Sequence, residues 1–458
     1  MSSISLQNAL LIDLCTLLLC SMIALRCASS FLHPALMTLG CHSYIVTLRL
    51  FQLLKGAQPM SYTFVWPVAT GEVVRAALAS DAALLAMASA WVLVRYWGRR
   101  RTAVPREPRI LLSFPRVRTI ALLTTVAFVA AVAATGPHNL VAEPNTESMS
   151  GYLLAATGWA PWAACLLHFI YGFQWPLLCF TAGTLVASLM VSHFRGVVII
   201  PLIFLLFTSL ARRKSRRLPL ALFPAALCLW LIWLPMKPIL YALQTGLPIG
   251  DAISAGVTEA FGHFGTEEGS AIDFQFLDMI GSTMSLVDIH GTHLWGGSIT
   301  PLLVSPVPRS LWPAKPHFNQ YQIDLDIPSR NMAALNMTAG LIGECYADFG
   351  YFGVLAIPFL ISLGFSLAYN RLAGTYLLAP GALLYLIFLS TFMQLYRDGL
   401  ISGFMFPFVH CAPIGWTALS HWIWPPEQGR VTAPGHSPNL RESPSAGWVA
   451  DPHSQPLT

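Results

Sequence analysis

Charge is what this chain has least of. Asp, Glu, Lys and Arg make up 10% of its 458 residues, against roughly 25% in an ordinary soluble domain. Hydrophobic residues make up 55%. That balance excludes a soluble globular enzyme and it excludes disorder. The net charge of +5 is too mild to point to nucleic acid, and no basic strip interleaved with aromatics appears outside short loops. The nine cysteines are odd in number and form no CxxC pair, so neither a disulfide framework nor a structural zinc site is expected. P-loop, GxGxxG, GxSxG and HExxH motifs are all missing, which leaves nucleotide-driven and proteolytic readings without support. There is no internal repeat, and no inverted pair of Gly- or Pro-broken helices of the transporter kind is expected.

What the chain has is long apolar runs. They fall near 6–25, 31–54, 81–97, 117–135, 151–171, 174–192, 197–211, 218–236, 351–370, 376–395 and 401–419. A bilayer core takes about 20 apolar residues per helix. The expectation is an all-α, polytopic integral membrane protein with about eleven spans. The runs are too long for the ~10-residue alternating strands of an outer-membrane barrel. The first run is read as a retained helix. Met1–Asn8 has no basic residue, Asp13 interrupts the apolar stretch, and no small-x-small cleavage site follows.

Basic residues orient the spans. Residues Gly98–Arg118 hold seven arginines, and Arg212–Arg217 hold five more basic residues. Both loops are expected in the cytoplasm. Residues Gly136–Ser150 carry Glu143 and Glu147 with no Lys or Arg, so they belong on the other side. This puts the N-terminus outside and the C-terminus inside. Four regions follow: a transmembrane bundle (1–236), a large outer loop or lid (237–340), C-terminal transmembrane helices (341–423) and a Pro/Ser-rich, disordered cytoplasmic tail (424–458).

Chemistry is sought on the outer face. The stretch Ser305–Pro316 has four prolines in twelve residues. It is too rich in proline for a helix or central strand. It presents Arg309, Trp312 and Lys315 together, cations for a phosphate and an indole for a sugar face. A proline-rich turn whose basic residues snorkel to headgroups explains it equally. In Gly340–Gly353, Glu344 and Asp348 lie four apart and share a helix face. Either suits a general base, or the pair merely favours a helix N-terminus. Arg195 and Arg397 fall on the outer side, where basic residues are scarce, although Arg397 can simply pair with Asp398. Asp288-Ile-His-Gly-Thr-His293 offers Asp and His at a spacing a metal can use, but no further ligand cluster accompanies it. His290 and His293 read better as polar groups of the loop.

Together these residues resemble a family. Arg195-Gly196, Pro308-Arg-Ser-Leu-Trp-Pro-Ala-Lys-Pro316, Gly343-Glu-Cys-Tyr-Ala-Asp-Phe-Gly-Tyr-Phe-Gly353 and Tyr396-Arg-Asp-Gly399 look like the Wzy-type O-antigen polymerases, the oligosaccharide repeat-unit polymerases. The specific part covers residues 300–400. The resemblance implies a GT-C-like, metal-independent glycosyltransferase of the bacterial inner membrane, without cofactor and with its active site facing the periplasm. Its substrate would be undecaprenyl-pyrophosphate-linked oligosaccharide, and its partners the bilayer and a chain-length regulator. Arg195, Arg309, Lys315, Arg330 and Arg397 would hold the pyrophosphate, with Arg309 also in the catalytic set. Glu344 or Asp348 would be the base, and Trp312 and Tyr346 would hold sugars. An O-antigen ligase or another lipid-carrier glycosyltransferase is the first alternative. A transporter or flippase is the second, and it should carry charges inside its spans. Few are evident there beyond Asp13 and Arg49.

Overall fold

The computed structural model describes residues 4–57 except 29 and 31, then 59, 61–62, 66–100, 111–135, 155–191, 196–213, 246–262, 276–304, 307, 311–316, 339–372 and 379–425, with isolated positions 235, 239 and 242. The expected span at 218–236, the tail from 426, Arg195, Arg309 and Arg330 lie outside these residues.

The described chain is helical apart from a two-residue hairpin, β1 (Ser61–Tyr62) paired with β2 (Trp66–Pro67). The helices are α1 (Leu6–Cys27), α2 (Pro34–His42), α3 (Leu48–Leu54), α4 (Thr70–Arg100), α5 (Phe114–Thr135), α6 (Trp159–Tyr171), α7 (Trp175–Val191) and α8 (Gly196–Arg213). There follow α9 (Ile249–Gly262), α10 (Phe276–His290), α11 (Thr300–Val304), α12 (Gly340–Leu372), α13 (Pro380–Ser390), α14 (Phe392–Val409) and α15 (Ala412–Ile423). Four of these helices, α1, α4, α5 and α12, contain stretches long and apolar enough to cross a membrane, and shorter apolar helices accompany them. The protein is thus an α-helical membrane protein. Leu11, Leu14, Leu18 and Leu25 on α1, and Leu122, Leu123, Val126 and Val129 on α5, point outward. Water does not tolerate such apolar surface at this extent, whereas lipid does.

Local chemistry sets the ends. Ser5 caps α1 by accepting the Asn8 N–H at 3.2 Å. Pro34 and Pro380 open α2 and α13 at positions where no backbone donor is lost. Helix α2 runs into α3 through a π-helical turn, Ser43–Thr47. Helix α4 starts at Thr70, not near 81. Glu72 Oε2 accepts the Ala69 N–H at 2.9 Å, one half of a capping box. Asp81 therefore lies well inside the helix.

Two apolar cores lie side by side. One joins α1–α4, α10 and the first parts of α12 and α14. The other joins α5, α6, α8, α13, α15 and the end of α12. Helix α10, from the expected outer loop, belongs to the first core, with Leu277–Met284 buried throughout. Arg49 of α3 grips Asp278 of α10 through two hydrogen bonds, 2.5 and 3.0 Å, with both side chains fully buried.

The C-terminal third departs from the expected pattern. Helix α12 breaks at Phe349–Gly350, where Gly350 has φ +61°. Helix α14 breaks at Gly399, φ +89°. The expected runs 376–395 and 401–419 resolve into three helices, α13 to α15, with these corners between and within them. Both breaks fall at glycines within otherwise apolar helices. A glycine follows each of these two corners and another follows the α14–α15 junction at His410–Cys411, and each sits against the chain eight residues upstream: Gly353 on Cys345, Gly403 on Leu395 and Gly415 on Pro407. Any Cβ there would collide with the earlier half-helix. The apolar runs alone hide this, because both half-helices are equally hydrophobic.

Candidate functional site

The two corners interlock. Gly340 opens α12 at φ +62°, and an added Cβ would stand 3.0 Å from the carbonyl oxygens of Tyr396 and Arg397. In return, the Glu344 carboxylate occupies the space where a Gly399 side chain would be. Glu344 Oε2 accepts the Leu400 N–H at 2.7 Å, a carboxylate set at the N-terminus of the second half of α14. One turn on, Asp348 accepts the Ser298 N–H at 3.1 Å and the Ser298 hydroxyl. The Leu294 and Trp295 amides donate to the Ala347 and Asp348 carbonyls at 2.9 and 3.1 Å. Glu344 and Asp348 thus share a face, as their spacing predicts. Both are buried, and each holds backbone from another segment.

Just outside lies a cluster centred on Arg75 of α4. Arg75 forms an ion pair with Asp288 at the end of α10 and donates to Tyr346 and, at 2.9 Å, to Tyr351. Tyr346 Oη donates to Asp288 at 2.7 Å. The guanidinium lies over both tyrosine rings, 5.2 and 5.6 Å from their centroids. His293 meets Trp295 and Tyr346 edge to face, and among the described residues its buried Nδ1 has no hydrogen-bond partner. Trp295 is held at φ +49°, rare for a bulky residue, and is 76% exposed. Ser285 donates to Glu72 at 2.5 Å below this ledge. Gly281 lets α10 approach the Glu72 backbone.

Electrostatics set the state of Asp288. Burial works to raise its pKa, but the hydrogen bonds from Arg75 and Tyr346 outweigh it and hold the carboxyl below its ordinary value. It stays ionised and is a weak base.

Of the residues singled out by sequence, Glu344, Tyr346, Asp348 and Arg397 come together here. Arg397 pairs with Asp398 at 2.6 and 2.8 Å, donates to Gln394 at 2.9 Å, and lies over the Phe276 ring. Trp312 and Lys315 occupy a turn beyond α11, where Lys315 Nζ donates to the Val307 carbonyl at 2.9 Å. Asp288, His290 and His293 do not gather as metal ligands, because Asp288 turns to Arg75 and Tyr346. Sequence reasoning missed Arg75, since residues 55–80 fall between the apolar runs 31–54 and 81–97. It also missed His42 and Asp81, which meet Asp13 inside the bundle.

The chain matches no family model, and no curated protein or solved structure registers as similar to it.

Proposed function

We propose that this protein polymerises undecaprenyl-pyrophosphate-linked oligosaccharide repeat units at the periplasmic face of the inner membrane, as the Wzy-type resemblance implies. In this reading it is GT-C-like, with about eleven spans. The supporting observation is the meeting of Gly343–Gly353 and Tyr396–Gly399, two stretches of the resemblance, beneath one ledge of Arg75, Asp288, Tyr346, Tyr351, His293 and Trp295. Aromatic faces and paired planar polar groups suit a sugar, and the arginines suit its pyrophosphate.

In the transfer, the bond from the growing chain's C1 to the phosphate oxygen breaks. The non-reducing-end hydroxyl oxygen of the incoming unit bonds to that C1 and releases its proton to water or a carboxylate. Undecaprenyl pyrophosphate departs with the electron pair. Because the leaving group is already stable, cations carry more of the work than a base does. Arg195, Arg309, Arg330, Lys315 and Arg397 are the proposed clamp, with Arg75 added here. Burial and backbone bonds turn Glu344 and Asp348 from base candidates into positioning residues. Trp312 keeps its proposed sugar contact, whereas Tyr346, buried with its hydroxyl on Asp288 and its ring under Arg75, supports the ledge from within.

One observation favours a second reading, a flippase or transporter of the same lipid-linked unit. Asp13, His42, Asp81, Arg49 and Asp278 are all buried within the bundle, and intramembrane charge often marks a transport path. The deciding experiment is a gel of surface polysaccharide after deletion of the gene. Collapse of the ladder to lipid A–core with one repeat supports polymerisation. Loss of every repeat supports the flippase or a ligase, and an unchanged ladder removes all three for this polymer.

A further inference from the structure

Three helices each place one ionisable group at a single buried point. Asp13 of α1 and His42 of α2 are 0% exposed, and Asp81 of α4 is 3% exposed. His42 Nε2 lies 2.8 Å from Asp13 Oδ1 and 3.2 Å from Asp81 Oδ1. Their ligand-capable atoms all fall within 4.8 Å of one another. On the other side of the ring, His42 Nδ1 is 3.0 Å from Tyr396 Oη of α14. Among the described residues, Asp13 Oδ2 and Asp81 Oδ2 are buried with no hydrogen-bond partner. Among the described residues, no Lys or Arg forms an ion pair with either carboxylate.

Two ionised carboxylates in a dry bundle are balanced either by about two positive charges or by protons. We infer that Asp13, His42 and Asp81 form a site for a divalent transition-metal cation of the zinc or manganese kind. The geometry suits one. Two donors each about 2.1 Å from a metal stand roughly 3.0 Å apart at a right angle and about 3.4 Å apart in a tetrahedron. The His42 contacts fall around that range. An oxygen, oxygen, imidazole set is matched to these metals. With Nε2 on the metal, Nδ1–H donates to Tyr396, the outer partner that a ligating histidine ordinarily has. Tyr396 also presents its carbonyl to Gly340. The site therefore ties α1, α2 and α4 to the interlocked corners, without itself touching the outer ledge. Its role is positional, and it holds whichever lipid-carrier reading is correct.

The test is metal content of the tag-free full chain in detergent, by elemental mass spectrometry and thermal unfolding. Expected are about one equivalent of divalent metal per chain, a lower Tm after chelation, and recovery on adding zinc or manganese chloride. Asp81→Asn should lose the bound metal and the chelator response. His290→Ala/His293→Ala should keep both, which separates this site from surface histidines. Tyr396→Phe keeps all three ligands and should weaken binding by about 10- to 100-fold. Should Asp81→Asn fail to fold, chelation and refilling of the unaltered chain decide alone. A wild-type chain that carries no metal and takes up neither ion stoichiometrically overturns the proposal and leaves protons as the neutralising charge.

Discussion

Gly399 has no room for a side chain. Its φ of +89° and ψ of −175° suit glycine almost alone, and the Glu344 carboxylate fills the space beside it. Gly399→Ala should cost more than about 2 kcal/mol, strain and collision together; a denaturation midpoint equal to the parent's would refute this. The Glu344–Asp348 pair was legible because four-residue spacing puts both on one helical face. Their engagement with Leu400 and Ser298 was not, since those donors lie about 50 residues away in sequence. Asp288 sets a pH limit. Its folded pKa is depressed, so its tie to Arg75 contributes fully above the ordinary carboxylate value of 3.8 and is lost as pH falls through the lower, folded value. Stability attributable to it should be flat from about pH 5 to pH 8, and Asp288→Asn should remove the acid-side loss. Unfolding midpoints of both proteins, followed from about pH 8 down to about pH 2, check this. Arg75→Lys keeps the charge but loses the fork over two tyrosines. On the polymerase reading it should shorten the polysaccharide ladder at unchanged protein level, and full-length ladders would take Arg75 out of the site.

At the scale of elements, helix type and placement were readable and corners were not. Apolar runs marked α1, α5, α7 and α8 to within a few residues. Thr70–Ser80 was lost because Gly71, Glu72 and Arg75 dilute its hydrophobicity, although Glu72 in fact anchors the helix start. Helix α10 read as loop because Asp278 and Asp288 interrupt it. Each finds an arginine, Arg49 or Arg75. The Arg49–Asp278 bridge is expected to matter most when broken on one side. Arg49→Ala should destabilise the protein by about 3–5 kcal/mol, since it strands a buried carboxylate. The paired change Arg49→Met/Asp278→Leu should recover much of that. Chemical unfolding of the three proteins in one detergent measures both effects, and additive losses would show that the two groups do not act together.

For the whole molecule, helix α4 is the ruler. Its 31 residues extend roughly 46 Å at 1.5 Å per residue, enough to pass through the bilayer core. Arg75 and the ledge stand at its start, and the arginine-rich stretch Gly98–Arg118 begins in its last turn. On the proposed reading, the positive-inside rule puts the ledge on the outer side. A membrane-impermeant thiol reagent should label Ile289→Cys in intact cells and Trp97→Cys only after permeabilisation. The reverse pattern would invert the protein and remove the periplasmic reading.

The π-helical turn Ser43–Thr47 acts as a phase shifter. His42, just before it, must face Asp13 and Asp81, while Arg49, just after it, must face Asp278. One residue turns an α-helix by about 100°, so deleting any single residue from this turn would bring only one of the two side chains back to its partner. The segment is in effect a keyed coupling between two buried polar contacts, and its length, more than its composition, is what natural variation in this stretch should preserve.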